Sequence, residues 1–201
     1  MLFYNRNRGQ MPHQRSSLHF CTTQDLSNLI IGPSGGMYVL PHEPWNEVYP
    51  GIYIGDKHTA LCTHTLKDIG ITHVLNAAQG NDSNAYKGFV NTNPTYYNSV
   101  GIDYKGFPAI DLLSFDLSQY FSEAANFIER ALQNNGKVLV HCYQGISRSA
   151  TLVIAFLMLK CGMTATEAIK TVRSKREIIP NNSFLRQLCD LNQRLIAERK
   201  Y

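Results

Sequence analysis

The sequence predicts an α/β fold with a central, mostly parallel twisted sheet flanked by helices. Short β-rich apolar runs alternate with helical stretches from Glu47 onwards, and the last third of the chain is helical. The apolar run "KVLVH" leads almost directly into an apolar helix that begins near Ser147. A strand and a helix of this kind belong to the centre of a domain. At 201 residues the chain is long enough to bury such a core in a single domain.

The N-terminal part contains an extension, a helix and a connector. Residues 1–19 are polar, basic and aperiodic, so we expect a disordered extension there and one folded domain over 20–201. A short amphipathic helix begins near Thr22 and ends at the "GPSGG" turn. The segment "LPHEPW" continues as an extended connector.

The rest of the chain supplies the sheet and its helices in alternation. Before the central strand "KVLVH", the predicted strands are "GIYIG", "ITHVLNAA" and "GIDYKGF", and the predicted helices span 58–68 and 116–132. After it, helices are predicted over 147–159, 164–174 and 182–199. The second of these opens with the capping box Thr164-x-x-Glu167.

Composition and charge exclude several classes of protein. The formal net charge is +4, and Arg6, Arg8 and Arg15 supply three of these four charges, so the predicted domain is near neutral. This argues against a nucleic-acid-binding surface as the main function. No apolar run approaches the ~20 residues of a membrane helix, and the N-terminus lacks the apolar core of a signal peptide. Five cysteines without a CxxC pair favour a reducing compartment, so we expect the cytoplasm, the nucleus or both.

The nine residues 141–149, "HCYQGISRS", connect the central strand to the central helix. In an open α/β sheet such a loop lies beyond the carboxyl end of a strand, where ligands bind, and at the positive end of a helix dipole. A tight loop there directs successive backbone N–H groups into one concavity. Gly145 supplies backbone freedom, and Arg148 can bind two oxygens of one anion with its planar guanidinium. The loop therefore predicts a site for a tetrahedral oxyanion.

Cys142 lies at the floor of this expected site. A helix N-terminus and a nearby arginine lower a cysteine pKa from ~8.5 to about 4–6, so the thiol is expected to be a thiolate at neutral pH. A thiolate below a bound phosphate is placed for in-line attack, which gives a thiophosphoryl-enzyme intermediate. The Ser149 hydroxyl can donate a hydrogen bond to the sulfur as it leaves. We expect His141 to orient the loop and assign it no role as a general base.

Other interpretations of these residues carry less support. A cysteine among apolar residues is most often an inert buried thiol, but the ordered polar set within 141–149 favours catalysis. The GxxxxGK[ST] pattern of a nucleotide-binding phosphate loop is absent from the sequence. A zinc site at His58, Cys62 and His64 lacks a second pair at metal-ligand spacing, so we predict no metal.

The stretch "VHCYQGISRSATLV" matches the HCxxGxxRS signature of cysteine-dependent protein phosphatases. Further segments extend the likeness from about Thr23 to Glu198, among them "NEVYPGIYIGD", "GITHVLNAA", "REIIPN" and "FLRQLCDLN". Taken together, the chain resembles the small atypical dual-specificity phosphatases of the VHR type. The resemblance implies one phosphatase catalytic domain over 20–201 that works without a cofactor. The implied phosphate-binding loop comprises His141, Cys142, Tyr143, Gln144, Gly145, Ile146, Ser147 and Arg148.

The general acid is assigned with the help of this resemblance. Expulsion of an alkoxide or phenoxide needs a proton donor above the pocket, and three aspartates precede the nucleophile. Asp103 lies in a predicted strand, and Asp116 opens a predicted helix, where capping is the expected role. Asp111 lies between a strand and a helix, where the family carries its acid. The resemblance therefore assigns the acid to Asp111, which later acts as base toward the hydrolytic water.

The chain departs from the VHR pattern within the loop. Gln144 stands where that type usually has a glutamate, and Ile146 where it has a tyrosine that forms one wall of the pocket. Both changes affect the expected substrate preference and leave the chemistry intact. In "REIIPN", Arg176 corresponds to the arginine associated with a second phosphate, and a surface arginine at a helix end is the alternative. We expect Asn181 and Asn182 to serve as turn and cap.

The resemblance implies a phosphatase for phosphotyrosine, and for phosphothreonine or phosphoserine, in proteins, with MAP kinases such as ERK and JNK as implied partners. We expect a monomer, and neither nucleic acid nor membrane as a partner. A phosphoinositide or RNA 5′-phosphatase is one alternative, disfavoured because lipid phosphatases of this superfamily tend to carry lysines in the loop. A non-catalytic phosphoprotein-binding module is another, disfavoured because Cys142, Arg148 and Asp111 are all present.

Overall fold

The computed structural model describes residues 21–198. The extension expected over 1–19 and the predicted helix end at Arg199 lie outside these residues. The strands are β1 (Trp45–Tyr49), β2 (Ile52–Gly55), β3 (His73–Asn76), β4 (Asp103–Gly106) and β5 (Val138–His141). The helices are α1 (Thr23–Ile31), α2 (Lys57–Leu61), α3 (Thr63–Ile69), α4 (Pro94–Asn98), α5 (Phe121–Gln133), α6 (Arg148–Lys160), α7 (Ala165–Arg173) and α8 (Asn182–Glu198).

The five strands form one sheet in the order β1-β2-β5-β3-β4. β1 pairs antiparallel with β2, and all other neighbours are parallel, which confirms the predicted mostly parallel sheet. The strand predicted to be central, β5, is central. Its last residue, His141, stands in register with Gly55 of β2 and Asn76 of β3. Three strands therefore end together at the carboxyl-terminal end of the sheet, where the loop over 141–149 begins. This is the usual place for a ligand site.

Helices cover both faces of the sheet because successive side chains of a strand point to opposite faces. Val138 and Val140 pack in the main core cluster with residues of α1 and α5 to α8. Leu139 packs in a smaller cluster with residues of α2, α3 and α4 on the other face. α6 contacts α5, α7 and α8, and its residues from Arg148 to Met158 are all buried. The prediction of a central apolar helix is therefore confirmed.

Two elements are not predicted from the sequence. β1 overlaps the expected connector "LPHEPW" only at Trp45 and otherwise covers residues without a strand prediction; its pairing shifts between Glu47 and Tyr49, so the alternation of a regular strand is interrupted. α4 has five residues, too few for a periodic pattern. Its start is nevertheless visible in the sequence, because the Asn93 side chain accepts from the Tyr96 N–H and Pro94 opens the helix.

Two predicted helices are divided. The helix expected over 58–68 is split at Cys62, whose ψ of 86° ends α2 before α3 begins. The helix expected over 116–132 starts with the 3-10 turn Ser118–Tyr120, and α5 follows it. The N-cap of that turn is Leu117, and the carboxylate of the preceding Asp116 accepts hydrogen bonds from the N–H and the hydroxyl of Ser118, at 3.0 and 2.6 Å.

The remaining helical signals agree with the structure. The capping box of α7 is present, with Thr164 Oγ1 accepting from the Glu167 N–H and the Glu167 carboxylate accepting from the Thr164 N–H. α8 begins at Asn182, as predicted. Over residues 21–198, none of the helices combines the length and the apolar character that crossing a bilayer requires.

Candidate active site

The loop between β5 and α6 turns its carbonyl groups outward. The carbonyls of the four residues 143–146 all accept hydrogen bonds from outside the loop. Two accept from the backbone N–H groups of Lys57 and Ile179, at 3.1 and 2.7 Å, and two from the guanidinium of Arg176, at 3.4 and 2.8 Å. Because the C=O and N–H of one peptide unit point in opposite directions, the N–H groups that follow these carbonyls face the concave side. This is the geometry of an anion-binding cup.

Gly145 lies at the tightest point of the loop. Its φ is +68°, and a Cβ on it would lie 2.4 Å from the carbonyl oxygen of Gly55. A side chain is therefore excluded both by conformation and by space. The Gly145 N–H points into the cup, 3.3 Å from Cys142 Sγ. Close packing against β2 thus fixes how near the loop lies to the end of the sheet.

The Cys142 thiol forms the floor of the cup. The residue is 2% exposed, and its Sγ lies 3.3 Å from Ser149 Oγ. Burial raises the pKa of the thiol, but the charge of Arg148 and the hydrogen bonds from Ser149 lower it by more. The pKa of Cys142 is therefore below its ordinary value, which favours the nucleophilic thiolate.

Arg148 lies buried beside the thiol and is anchored through the two ends of its guanidinium. Nη1 donates to the carbonyl of Ala109 and Nη2 to that of Gly88, both at 2.9 Å. Nε is buried without a hydrogen-bond partner among the described residues, 3.7 Å from Asp111 Oδ2. A buried donor without an acceptor costs free energy, so this N–H is available to an oxygen of a bound anion.

Of the three aspartates considered as the acid, Asp111 is the one at the cup. Asp103 begins β4, at the amino-terminal end of the parallel strands, and the Asp116 carboxylate accepts from Ser118. The Asp111 carboxylate accepts from the Ser147 hydroxyl at 3.0 Å and from the Asn181 side-chain amide at 2.8 Å. Its side chain is 27% exposed, so the carboxyl stands at the rim, between the cup and solvent.

Sequence reasoning assigns Asn181 only part of its role. Its Oδ1 accepts from the Phe184 N–H at 3.0 Å, which caps α8 as expected. Its Nδ2 also donates to Asp111, 70 residues away in the chain. No local pattern could indicate this contact, because only the folded chain brings the two residues together.

The structure decides between the two sequence-based interpretations of Arg176 only in part. It is 1% exposed, so it is not a surface arginine at a helix end. Besides the two carbonyls of the loop, its guanidinium donates to the Glu43 carbonyl at 3.0 Å and to Asn46 Oδ1 at 2.7 Å. Nε and Nη1 are thus engaged behind the loop, whereas Nη2 makes one long contact and the residue also lines the groove beside the cup, so the second-phosphate site stays a prediction. In this arrangement Arg176 braces the cup from outside.

The neighbours of the nucleophile shape the cup and its surroundings. Burial lowers the pKa of His141 to about 4, so this residue is neutral at neutral pH, with Nδ1 3.3 Å from the Cys142 carbonyl. A groove of about 530 Å³ runs beside the loop, and Gln144 and Ile146 lie along it. In the same groove Lys57 Nζ donates to the Tyr143 hydroxyl at 2.7 Å and lies over its ring.

The residues considered as a zinc site do not converge. His64 lies 3.4 Å from Asp68, and Cys62 Sγ accepts from the Thr65 hydroxyl at 3.1 Å. Within the part of the chain that the structure describes, no three His, Cys, Asp or Glu side chains are grouped so as to hold a metal ion.

Comparison with known proteins identifies the fold. The sequence model of the dual specificity phosphatase catalytic domain matches residues 52–194. Human DUSP28 is 25% identical, with a TM-score of 0.65 over 79% of this chain and 99% of that one. A mouse putative dual specificity phosphatase, crystallised with zinc tungstate, is 29% identical, with a TM-score of 0.65 over 78% and 91%. The human tyrosine phosphatase-like serine/threonine/tyrosine-interacting protein is 31% identical, with a TM-score of 0.63 over 78% and 98%.

The matched residues run from β2 to α8 and include Cys142, Arg148 and Asp111. The match covers more than half of the chain, and the structural neighbours are small proteins that this chain spans almost from end to end. The chain therefore belongs to the dual-specificity phosphatase family, as a small atypical member of the protein tyrosine phosphatase superfamily.

Proposed function

We propose that the protein hydrolyses phosphotyrosine, and phosphothreonine or phosphoserine, in proteins through a cysteinyl-phosphate intermediate. Its family supports phosphatase activity; the substrate class and the intermediate are the proposal. One observation carries it: Cys142 Sγ lies at the floor of a cup of inward-facing N–H groups, with the Asp111 carboxyl held at the rim.

In the first step the Cys142 thiolate attacks phosphorus, and the S–P bond forms as the P–O bond to the substrate breaks. The departing oxygen takes the proton of the Asp111 carboxyl, so no free alkoxide or phenoxide is released. The charge on the three remaining phosphate oxygens is stabilised by the loop N–H groups and by the Arg148 guanidinium. These donors stand in place before the substrate arrives, because the loop is fixed at Gly145 and braced by Arg176.

In the second step water attacks the phosphorus of the cysteinyl phosphate. The Asp111 carboxylate accepts a proton from the water, and the S–P bond breaks to return the thiolate and inorganic phosphate. The Ser149 hydroxyl, 3.3 Å from Sγ, can donate a hydrogen bond to the sulfur as it becomes anionic. Neither step uses a metal or another cofactor.

The partners and the location of the reaction belong to the same proposal. The resemblance to the VHR type supports MAP kinases such as ERK and JNK as substrates, and the five cysteines without a CxxC pair support action in the cytoplasm or the nucleus. The expected monomer is part of the same proposal. Gln144 and Ile146, which depart from the VHR pattern, lie along the groove beside the cup. We therefore expect these two positions to influence which phosphoproteins are accepted.

Cys142→Ser tests the mechanism. We expect turnover to be lost, because a serine hydroxyl is not ionised at neutral pH, while the loop and Arg148 still bind the substrate. Hydrolysis of an aryl phosphate measures turnover, and capture of phosphoproteins from a vanadate-free lysate, with identification by mass spectrometry, measures binding. Normal turnover by this variant would exclude the cysteinyl-phosphate intermediate.

A phosphoprotein-binding module is the second candidate, because a neighbour with 31% identity is named as phosphatase-like and as an interacting protein. Wild-type protein separates the two candidates. Hydrolysis of an aryl phosphate that resists chelators but is blocked by vanadate and by thiol alkylation supports the enzyme. Binding of a phosphopeptide with no hydrolysis supports the module.

A further inference from the structure

The loop over residues 80–90, between β3 and α4, carries no residue of the phosphatase signature. It is nevertheless well ordered by its own contacts. The Asp82 carboxylate accepts from two successive backbone N–H groups, at 3.0 and 2.9 Å, and these bonds lower the pKa of Asp82. The Ser83 N–H donates to the Tyr86 carbonyl at 2.9 Å, and the Tyr86 N–H donates to Ser83 Oγ at 3.2 Å. Tyr86 is therefore presented on a defined turn.

The hydroxyl of Tyr86 contacts the backbone of the acid. The Asp111 N–H donates to Tyr86 Oη at 3.0 Å. The half-buried ring packs edge to face against Phe89, with centroids 4.9 Å apart, so the phenol is also held from the other side. Ser147 and Asn181 hold the carboxylate of Asp111. Tyr86 restrains a different part of the same residue, its main chain.

The same loop also restrains Arg148, whose Nη2 donates to the Gly88 carbonyl. A Cβ on Gly88 would lie 3.3 Å from Tyr86 Oη and 3.7 Å from Arg148 Nη2, and the φ of Gly88 is +114°. The tyrosine hydroxyl and the guanidinium thus approach one residue that has no side chain. Through this approach the loop links the acid to the phosphate-binding arginine.

We propose that Tyr86 is a positioning residue for the general acid: its hydroxyl holds the backbone at Asp111 so that the carboxyl stays over the leaving-group oxygen. This inference rests on the proposed function and adds a residue that lies outside the signature. Tyr86 acts through Asp111, so its contribution depends on how much the reaction needs a proton. A basic leaving group needs protonation as it departs, whereas an acidic one leaves without it.

The test compares Tyr86→Phe with the wild type on two aryl phosphates. Phenyl phosphate has a basic leaving group, and difluoromethylumbelliferyl phosphate has an acidic one. Loss of one hydrogen bond should lower kcat/KM, which reports the step that breaks the P–O bond, about tenfold on phenyl phosphate and less than about twofold on the umbelliferyl ester. The ring and its packing on Phe89 remain, so we expect the melting temperature to stay within about 2 °C of the wild type.

Tyr96→Phe is the matched control. Tyr96 is also partly exposed, packs edge to face against a neighbouring ring, and uses its hydroxyl in one hydrogen bond, to the Leu61 carbonyl, away from the cup. We expect this variant to treat both substrates as the wild type does. An equal loss on both substrates in Tyr86→Phe, no loss on phenyl phosphate, or the same pattern in Tyr96→Phe would overturn the assignment.

A double-mutant cycle with Asp111→Asn separates this inference from the proposed function. Asp111→Asn should by itself slow the hydrolysis of phenyl phosphate more than that of the umbelliferyl ester. Adding Tyr86→Phe to it should lower kcat/KM on phenyl phosphate by less than about twofold more, because the group that Tyr86 positions is already gone. If the wild type hydrolyses neither ester, the proposed function fails. If Asp111→Asn is selective for phenyl phosphate and Tyr86→Phe is not, only the role of Tyr86 fails.

Discussion

Arg148 shows, for a single residue, how charge and geometry make separate contributions. Its charge lowers the pKa of Cys142, and its planar fork is anchored to two carbonyls, while Nε has no hydrogen-bond partner within residues 21–198. A lysine keeps the charge but cannot reproduce the fork, and a methionine keeps neither. The pair Arg148→Lys and Arg148→Met therefore separates the two contributions.

We expect both variants of Arg148 to lose about 10²- to 10³-fold in kcat/KM on an aryl phosphate, because each removes the oriented donors of the transition state. Only Arg148→Met should shift the pH dependence of Cys142 alkylation by iodoacetamide to higher pH, since only it removes the positive charge. An unchanged alkylation profile in Arg148→Met would contradict the role of this charge in activating the thiol.

At the scale of secondary-structure elements, α8 is coupled to the acid through the side chain of Asn181. One oxygen caps the helix, and one nitrogen holds Asp111. Asn181→Ala removes both contacts, so we expect a loss of about 1 kcal/mol in the free energy of unfolding and slower hydrolysis of phenyl phosphate. Asn181→Asp keeps the cap but places a carboxylate against the acid, so hydrolysis should slow while stability stays near that of the wild type.

Urea unfolding and steady-state kinetics of the two Asn181 variants check this coupling. Asn182→Ala, one residue further along the chain, is the control. If Asn181→Asp hydrolyses phenyl phosphate like the wild type, the contact with Asp111 has no role in catalysis.

The elements also show what a sequence can predict. β5, α6 and the loop between them are local: strand, loop and helix follow one another in 23 residues, and each carries its own pattern. β1 and α4 escape prediction because they are short and depend on their neighbours. In the same way Cys142, Gly145 and Ser149 are read from one motif and Asp111 from a family resemblance. Tyr86, Asn181 and the bracing role of Arg176 arise from contacts between distant segments, which no local pattern encodes.

For the whole molecule, the parallel sheet explains why distant segments meet at one site. The last residues of β2 and β3 stand in register with His141, the last residue of β5. The segments that follow these three strands therefore emerge at the same end of the sheet. The antiparallel edge strand β1 and the C-terminal helices then close the site from outside, through Arg176 and Asn181. The anion cup is held by the backbone of Lys57 and Ile179, by the Arg176 guanidinium and by its close approach to Gly55, and not by the loop sequence alone.

The buried His141 at this junction makes the stability of the whole domain depend on pH. Burial is the main cause that lowers its pKa from 6.5 to about 4, and the charge of Arg148 adds to the effect. As the pH falls, His141 takes up a proton in the unfolded chain before it does so in the folded protein. The stability that neutral His141 contributes is therefore complete above about pH 6.5 and is lost as the pH falls toward 4. Over this range we expect a loss of up to about 3 kcal/mol in the free energy of unfolding.

Urea unfolding at a series of pH values measures this loss. We expect the free energy of unfolding to depend less on pH in His141→Asn, and to follow the wild type in the control His58→Asn, whose histidine is exposed. Equal slopes in all three proteins would mean that other groups, and not His141, govern the acid stability.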